Sequence, residues 1–326
     1  MSNSTNTNTQ SKKILIAYHG HCLDGFTAAW VARKELIESC GYTPEEIDTL
    51  EMVYGKLVEL EQRAEDYDTV YILDFSIPVP LLTQIAEVAE VYVMDHHKTA
   101  MEMYAQEDLL YWQGFIGKAH VTIDMTECGA SLTYQSMVTT IGELPVLLKY
   151  VKDHDLWEHE YIDTPSVNKY LRTLPKSFAR WNILETQLED SKLENNIIIS
   201  GEGMQAYHDM IVSHLVAEAT EVTIGGITGL AVNCSPQFTN EVGHLLGKQS
   251  GTYGATWQQV GSEVKWSLRS DRNTEGTTDV SALCKKFGGG GHENAAGFTL
   301  SPPVQGKIFS DEEDFQEVGV SIWSVE

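Results

Sequence analysis

A chain of 326 residues, 42% of them apolar, is long enough for two domains that each bury a core of their own. Its 47 Asp and Glu against 22 Lys and Arg give a formal charge of −25, which argues against a general duplex-binding surface, because phosphate backbones are held by clustered cations. Small anionic substrates stay compatible with that charge, since bound divalent cations invert the local field and themselves require acidic clusters.

The opening MSNSTNTNTQSK is polar and lacks a signal-peptide core, which predicts a disordered tail over residues 1–12. Lys13-Ile14-Leu15-Ile16-Ala17-Tyr18 predicts a strand, and the apolar spacing from Gly25 to about Cys40 predicts a helix. A short strand near Leu50 to Val53, a polar helix around Lys56 to Glu65 and a strand over Thr69 to Leu73 follow, the last ending on Asp74. Pro78-Val79-Pro80 starts a helix through Ala89, and Val91-Tyr92-Val93-Met94 reads as a buried strand that stops on Asp95-His96-His97. Alternation of strands and helices predicts an α/β fold with a doubly wound, mostly parallel sheet over 13–190. Within it, Gly129 to about Asp155 reads as helix with a break at Leu144-Pro145, closing on Asp153-His154-Asp155.

A long helix from Asn195 to Ala219 predicts a bridge, so 191–220 is read as a linker helix. Beyond it the rhythm changes. Gly225-Gly226 between apolar runs signals a hairpin, and Thr252–Val260 and Glu263–Arg269 are short alternating segments. These predict a smaller α+β domain over 221–326, whose acidic segment Asp311 to Glu317 reads as a solvated end. Five scattered cysteines, Cys22, Cys40, Cys128, Cys234 and Cys284, form no CxxC pair, as expected of reduced thiols. No apolar run reaches the roughly 18 residues of a membrane span, so the expectation is a cytoplasmic protein without a membrane partner.

Four polar clusters carry the chemistry: His19-Gly20-His21-Cys22-Leu23-Asp24-Gly25, Asp74, Asp95-His96-His97 and Asp153-His154-Asp155. Three of them follow strands directly, where open α/β sheets build their sites. Carboxylates with imidazoles are a ligand set for divalent metals such as manganese, whereas structural zinc more often shows paired cysteines. The chemistry implied is hydrolysis at phosphorus, by water activated on one or two metal ions. Asp24 and Asp74 could each cap a following helix instead, but their companions favour ligation. His120, His159, His208, His214 and His244 have no such company and read as surface or core residues. Gly288 to Gly291 expose backbone N–H groups to which an anion can come close, with His292 as an added donor. Arg269 is the candidate for direct phosphate contact, because a guanidinium binds two oxygens at once.

These residues resemble the DHH phosphoesterase superfamily, which includes RecJ-like exonucleases, oligoribonucleases and cyclic-dinucleotide phosphodiesterases. Asp95-His96-His97 matches the motif that names the family, and Asp74 stands as the solitary Asp of the preceding motif. Gly288-Gly289-Gly290-Gly291-His292-Glu293-Asn294-Ala295-Ala296-Gly297 looks like the GGGHxxAAG signature of the family's associated C-terminal domain, and Trp266 to Ser270 and Asp279-Val280-Ser281 match segments before it. The resemblance runs from residue 13 over nearly the whole chain.

It implies a DHH catalytic domain, a linker helix and a DHH-associated substrate-binding domain with an active-site cleft between them. It further implies Asp74 as metal bridge, His96 as ligand, and His97 facing the bridging water or the substrate phosphate, with Asp95 beside them. Asp155, with Asp153 as its rival, matches the last metal-binding Asp; His19 and Asp24 match the first motif, His19 being favoured over His21 because it follows the strand more closely. The implied substrate-binding residues are Arg269, Gly289, Gly290, Gly291 and His292. One departure stands out. The family's first motif is DxDG, and here Cys22 occupies the position of its first Asp, a softer donor that suits manganese less well. The first metal site is then weakened, replaced, or completed by His21.

The implied function is a phosphoesterase using Mn2+, with Mg2+ or another divalent ion as substitutes, on short oligonucleotides or linear dinucleotides. Alternatives are a 3'-phosphoadenosine phosphate phosphatase, a pyrophosphatase-like enzyme, and a non-catalytic nucleotide-binding protein. No stable duplex DNA partner is expected, and a homodimer is compatible with the resemblance.

Overall fold

A computed structural model describes residues 13–53, 57–105, 115–116, 118–138, 142–271, 273 and 277–300. The tail over 1–12 and the acidic segment Asp311 to Glu317 lie outside the described residues. The chain divides into two compact units between Gln205 and Ala206.

In the first unit, strand β1 (Ile14–His19) leads into helix α1 (Leu23–Glu38), followed by β2 (Ile47–Met52), α2 (Val58–Arg63), β3 (Thr69–Leu73), α3 (Val79–Val88), β4 (Glu90–Asp95) and α4 (Lys98–Ala105). A two-residue strand β5 (Phe115–Ile116) precedes β6 (Ala119–Ile123), and helices α5 (Gly129–Met137), α6 (Val146–Asp155), α7 (Thr164–Thr173) and α8 (Phe178–Glu189) complete the run up to the long helix α9 (Ser191–Ala217). The sheet order is β2-β1-β3-β4-β6-β5. All pairs are parallel except β5 with β6.

The alternation within β1 shows why this sheet is wound on both sides. Ile14 and Ile16 join one core cluster with Phe26, Trp30, Leu148 and Trp181, whereas Leu15 and Ala17 join the other with Leu82, Ile85, Ala100 and Tyr104. Helices therefore cover both faces, and the central strands are apolar throughout rather than alternating with polar residues. The expected doubly wound sheet is found. Strand β6 was not expected, although Gly117 before it and the alternation of Ala119-His120-Val121-Thr122-Ile123 are both strand signals; the run is only five residues long.

The second unit contains β7 (Thr220–Ile224), β8 (Ile227–Asn233), α10 (Thr239–Ser250), β9 (Gly254–Val260), β10 (Glu263–Arg269), α11 (Val280–Lys285), β11 (Gly290–His292) and β12 (Ala295–Leu300). Its sheet order is β11-β12-β10-β9-β8-β7, with only β8 and β9 parallel, joined by the α10 crossover. Trp266, Leu268 and Phe298 pack with Leu283 of α11 on one face, and Val232 packs with Val242 and Leu246 of α10 in a separate cluster. The glycine run expected as an open binding loop is in part a strand. Gly290 to His292 pairs antiparallel with Ala295 to Gly297, and a Cβ at Gly289 would sit 2.1 Å from the carbonyl oxygen of Gly297. Some of these glycines thus serve sheet packing. Gly288 and Gly290, where a Cβ would meet nothing within 4 Å, face open space.

Ile72 of β3 is fully buried in the middle of the first sheet. Ile72→Ala should lower unfolding stability by about 2–5 kcal/mol, measured as a shift of the urea midpoint at unchanged slope.

Candidate metal centre

Three parallel strands deliver the site. His19 ends β1, Asp74 follows β3, and Asp95 ends β4 directly before His96 and His97. Because β3 pairs with both β1 and β4, Asp74 stands between the other two clusters. Its backbone has φ +53°, in the left-handed region that a non-glycine residue visits at a cost. The bend is secured by the bond from its N–H to the carbonyl of Met94 at 2.8 Å.

That turn presents the two carboxylate oxygens of Asp74 to different partners. Oδ1 lies 3.0 Å from His96 Nε2, and Oδ2 lies 3.3 Å from His19 Nδ1. Around His96, Asp155 Oδ2 is 3.4 Å and Asp24 Oδ2 3.8 Å from Nε2. Among the described residues three donor groups result, the donor atoms of each lying within 4.8 Å of one another: Asp74 with Asp95, His96 and His97, and two sets on either side of Asp74, one of His19, Cys22 and Asp74 and one of Asp24, His96 and Asp155. Asp24 belongs to the first turn of α1 yet accepts hydrogen bonds from Gly129 N (2.6 Å) and Ala130 N (2.8 Å) at the start of α5. Residue 129 must be glycine for this approach. A Cβ there would lie 2.4 Å from Asp74 Cβ and 2.9 Å from Asp24 Oδ2.

Asp95 has a different setting. It is fully buried and accepts from Ser76 Oγ, from the amides of His96 (2.7 Å) and His97 (3.2 Å), and faces His97 Nδ1 at 2.7 Å. It anchors His97, whose Nδ1 is also 3.8 Å from Asp74 Oδ1.

The electrostatics separate these acids. Burial works against the anion of Asp74, but hydrogen bonds from His19 and His96 and the charges of His97 and His96 hold it down at about 2. Asp95 also lies below its usual value, burial being outweighed by His97 and Ser76. Asp24 is pushed well up by burial and then by the facing carboxylates of Asp74 and Asp155, against the α5 amides that favour its anion. Burial raises Asp155 as well, with His96 opposing and Asp74 adding. Burial pulls His96 down, but the bond to Asp74 and the charges of Asp155, Asp74 and Asp24 carry it up to about 9. The imidazolium of His96 is thus the cation that crowded carboxylates require, in a place a divalent ion can take. Nitrogen, oxygen and one sulfur donor converging on a shared carboxylate fit such an ion.

Other expected residues fall elsewhere. Asp153 is buried but accepts from the amides of Glu160 (2.7 Å) and Tyr161 (3.4 Å) and from Thr164 Oγ1, so it organises the chain after α6 and belongs to neither donor set. His21 is largely exposed, its amide on Glu51 Oε1 at 2.6 Å, and does not complete the first set. In the second unit, register places Arg269, Ala295 and His292 in one row across β10, β12 and β11. Arg269 donates to Asn240 Oδ1 at 2.7 Å and, with Thr239, Trp257, Gln258 and Lys265, lines a cavity of about 250 Å³ at the start of α10. Gly289, Gly290 and Gly291 precede His292 along the same edge.

The sequence reading missed three contributors. Ser76, two residues after Asp74, could have been noticed from that spacing. Lys176, which donates to the carbonyl of Cys22 at 2.9 Å, lies 154 residues away along the chain. Lys265 carries no motif.

No protein-family model matches the chain. An uncharacterized protein of Acanthamoeba polyphaga mimivirus is 24% identical over 308 residues, 88% of this chain and 67% of that protein. The structure resembles that of exonuclease RecJ bound to manganese, with a TM-score of 0.54 and 14% identity over 89% of this chain and 86% of that one. A pGpG-specific phosphodiesterase, PggH from Vibrio cholerae, aligns with a TM-score of 0.45 and 13% identity over 89% and 94% of the two chains. Among the described residues no helix is long and apolar enough to cross a membrane.

The raised pKa of His96 makes a signed prediction for the metal-free protein. Its imidazolium stabilises the fold fully below the ordinary value of 6.5, and that contribution is lost as pH rises through about 9. The unfolding free energy of chelator-treated protein, read from urea titrations, should therefore fall between pH 7 and pH 9.5, by up to about 3 kcal/mol, and His96→Gln should flatten the decline.

With the strands ordered as they are and the donors converging on Asp74, the chain has a fold like that of exonuclease RecJ.

Proposed function

We propose that the chain is a metal-dependent phosphoesterase that hydrolyses the phosphodiester bonds of short oligonucleotides or linear dinucleotides. The observation that carries this reading is Asp74, whose two oxygens face two separate donor sets, the arrangement a bridged pair of divalent ions requires. Asp24, His96 and Asp155 would hold one ion and His19 and Cys22 the other, with Asp74 shared; manganese is the expected occupant of the oxygen-rich set. Bound divalent ions supply Lewis acidity toward phosphoryl oxygens and lower the pKa of a water ligand.

The remaining residues position and donate. Asp95, fixed by Ser76, orients His97 and raises its proton affinity, so that the ring can donate to a phosphoryl oxygen. Lys176 adds a cation beside the first donor set. Within the second unit, Arg269 and Lys265 offer cations for a phosphate at the cavity they line, with Trp257 as a surface on which a base can stack. A net charge of −25 favours a short substrate over a long one.

Incubation with manganese and a short RNA or linear dinucleotide should release mononucleotides. Asp74→Asn keeps a side chain that tolerates the left-handed backbone while removing the charge, so kcat should fall by about 10²–10³-fold or more with the fold intact by circular dichroism. Retained activity in that variant would remove the site assignment. Binding of a dinucleotide without hydrolysis under any divalent ion would leave a nucleotide-binding protein instead. Arg269→Ala should raise KM by about tenfold with a smaller effect on kcat, as a lost charged hydrogen-bond donor does.

A further inference from the structure

The two donor sets differ in chemical softness. Asp24, His96 and Asp155 offer only oxygen and imidazole nitrogen, whereas the set of His19, Cys22 and Asp74 includes a thiol. Manganese and magnesium prefer carboxylate, carbonyl and water; thiolate favours zinc and other thiophilic ions. The sulfur of Cys22 belongs to the site by its position, within 4.8 Å of donor atoms of His19 and Asp74. Cys22 stands at the N-cap of α1, with the backbone of Gly25 in the first turn beside its sulfur. Its backbone is tied down separately, the carbonyl accepting from Lys176 Nζ at 2.9 Å. The sulfur is held close to one oxygen of Asp74 and to His19, both fixed by the ends of adjacent strands.

We propose that the His19, Cys22 and Asp74 set selects a thiophilic divalent ion, zinc or cobalt over manganese, while the Asp24, His96 and Asp155 set takes a harder ion, so that the protein carries two unlike metals across Asp74. The inference rests on the metal-dependent reading of this site. On binding, the S–H proton of Cys22 leaves to solvent and an S–metal bond replaces it, with no change of oxidation state. Two ions in unlike environments also divide the labour, the thiolate-bound ion being the weaker Lewis acid because sulfur donates more charge to it.

Cobalt reports thiolate ligation directly through a charge-transfer band in the near ultraviolet. Full-length protein stripped of metal is titrated with Co2+ in a Cys40→Ser background, because Cys40 is the exposed thiol. One equivalent should produce the band, Zn2+ should abolish it stoichiometrically, and Mn2+ should not. Cys22→Ser should lose the band with circular dichroism unchanged, and Cys22→Asp should lose it while shifting the manganese-to-zinc preference toward manganese by about tenfold or more. Absence of the band in the Cys22 protein, its survival in Cys22→Ser, or its equal removal by Mn2+ would overturn the proposal. If the band fails while manganese alone supports hydrolysis, only the mixed-metal inference falls. If the band appears as expected and no phosphoester is cleaved, the phosphoesterase reading falls and the mixed-metal site stands.

Discussion

The carboxylate of Asp74 is the constraint around which the first unit is organised. One buried side chain touches His19 through one oxygen and His96 through the other, so the ends of β1, β3 and β4 must meet in fixed register. Parallel pairing of β3 with both neighbours provides that register, and helices on both faces keep the three strands dry. The left-handed backbone at Asp74 and the missing side chain at Gly129 are local concessions to the same demand. A residue held in a disfavoured conformation at a strand end is intelligible when its side chain must point to one place.

The buried acids of this unit fall into two kinds. Asp95 and Asp153 are each met by amides and hydroxyls of nearby residues, Ser76 and the two His amides for one, Thr164 and two loop amides for the other. Hydrogen bonding of that kind makes a buried carboxylate structurally self-sufficient. Asp24, Asp74 and Asp155 also face one another, Asp24 while accepting two amides of α5, and Asp24 and Asp155 rise above their ordinary values through burial first and the facing carboxylates second. Burying an unpaired charge costs several kcal/mol, so like charges brought together in the interior call for a cation. Without metal, the proton on His96 serves, which couples the metal affinity of the site to pH.

Much of this was legible along the chain because the information is local. A strand in a two-sided parallel sheet must be apolar at nearly every position, so β1, β3 and β4 announce themselves, and the polar residues that end them mark the sheet edge. The hairpin at Gly225-Gly226 and the long α9 are likewise written in short-range signals. Strand β6 was not, since it is only five residues long and takes its place from pairing with β4 and with the two-residue β5. The glycine run misled in part for a related reason: glycine reads as loop, but here some of it is strand, chosen so that β11 can lie close against β12.

The sequence by itself determined which donor types the protein has, the strand ends that carry them, and the presence of one thiol, Cys22, among carboxylates and imidazoles. It favoured Asp155 over Asp153 and His19 over His21 only narrowly, because each pair is two residues apart and either member could face the site. Where each side chain lies is set by tertiary structure. The turn after α6 puts Asp153 under the amides of Glu160 and Tyr161, and the bend after β1 turns His21 toward Glu51, leaving Asp155 and His19 beside Asp74. The physical reason is that a ligand is defined by where its donor atom points, and that direction depends on packing between segments far apart in sequence.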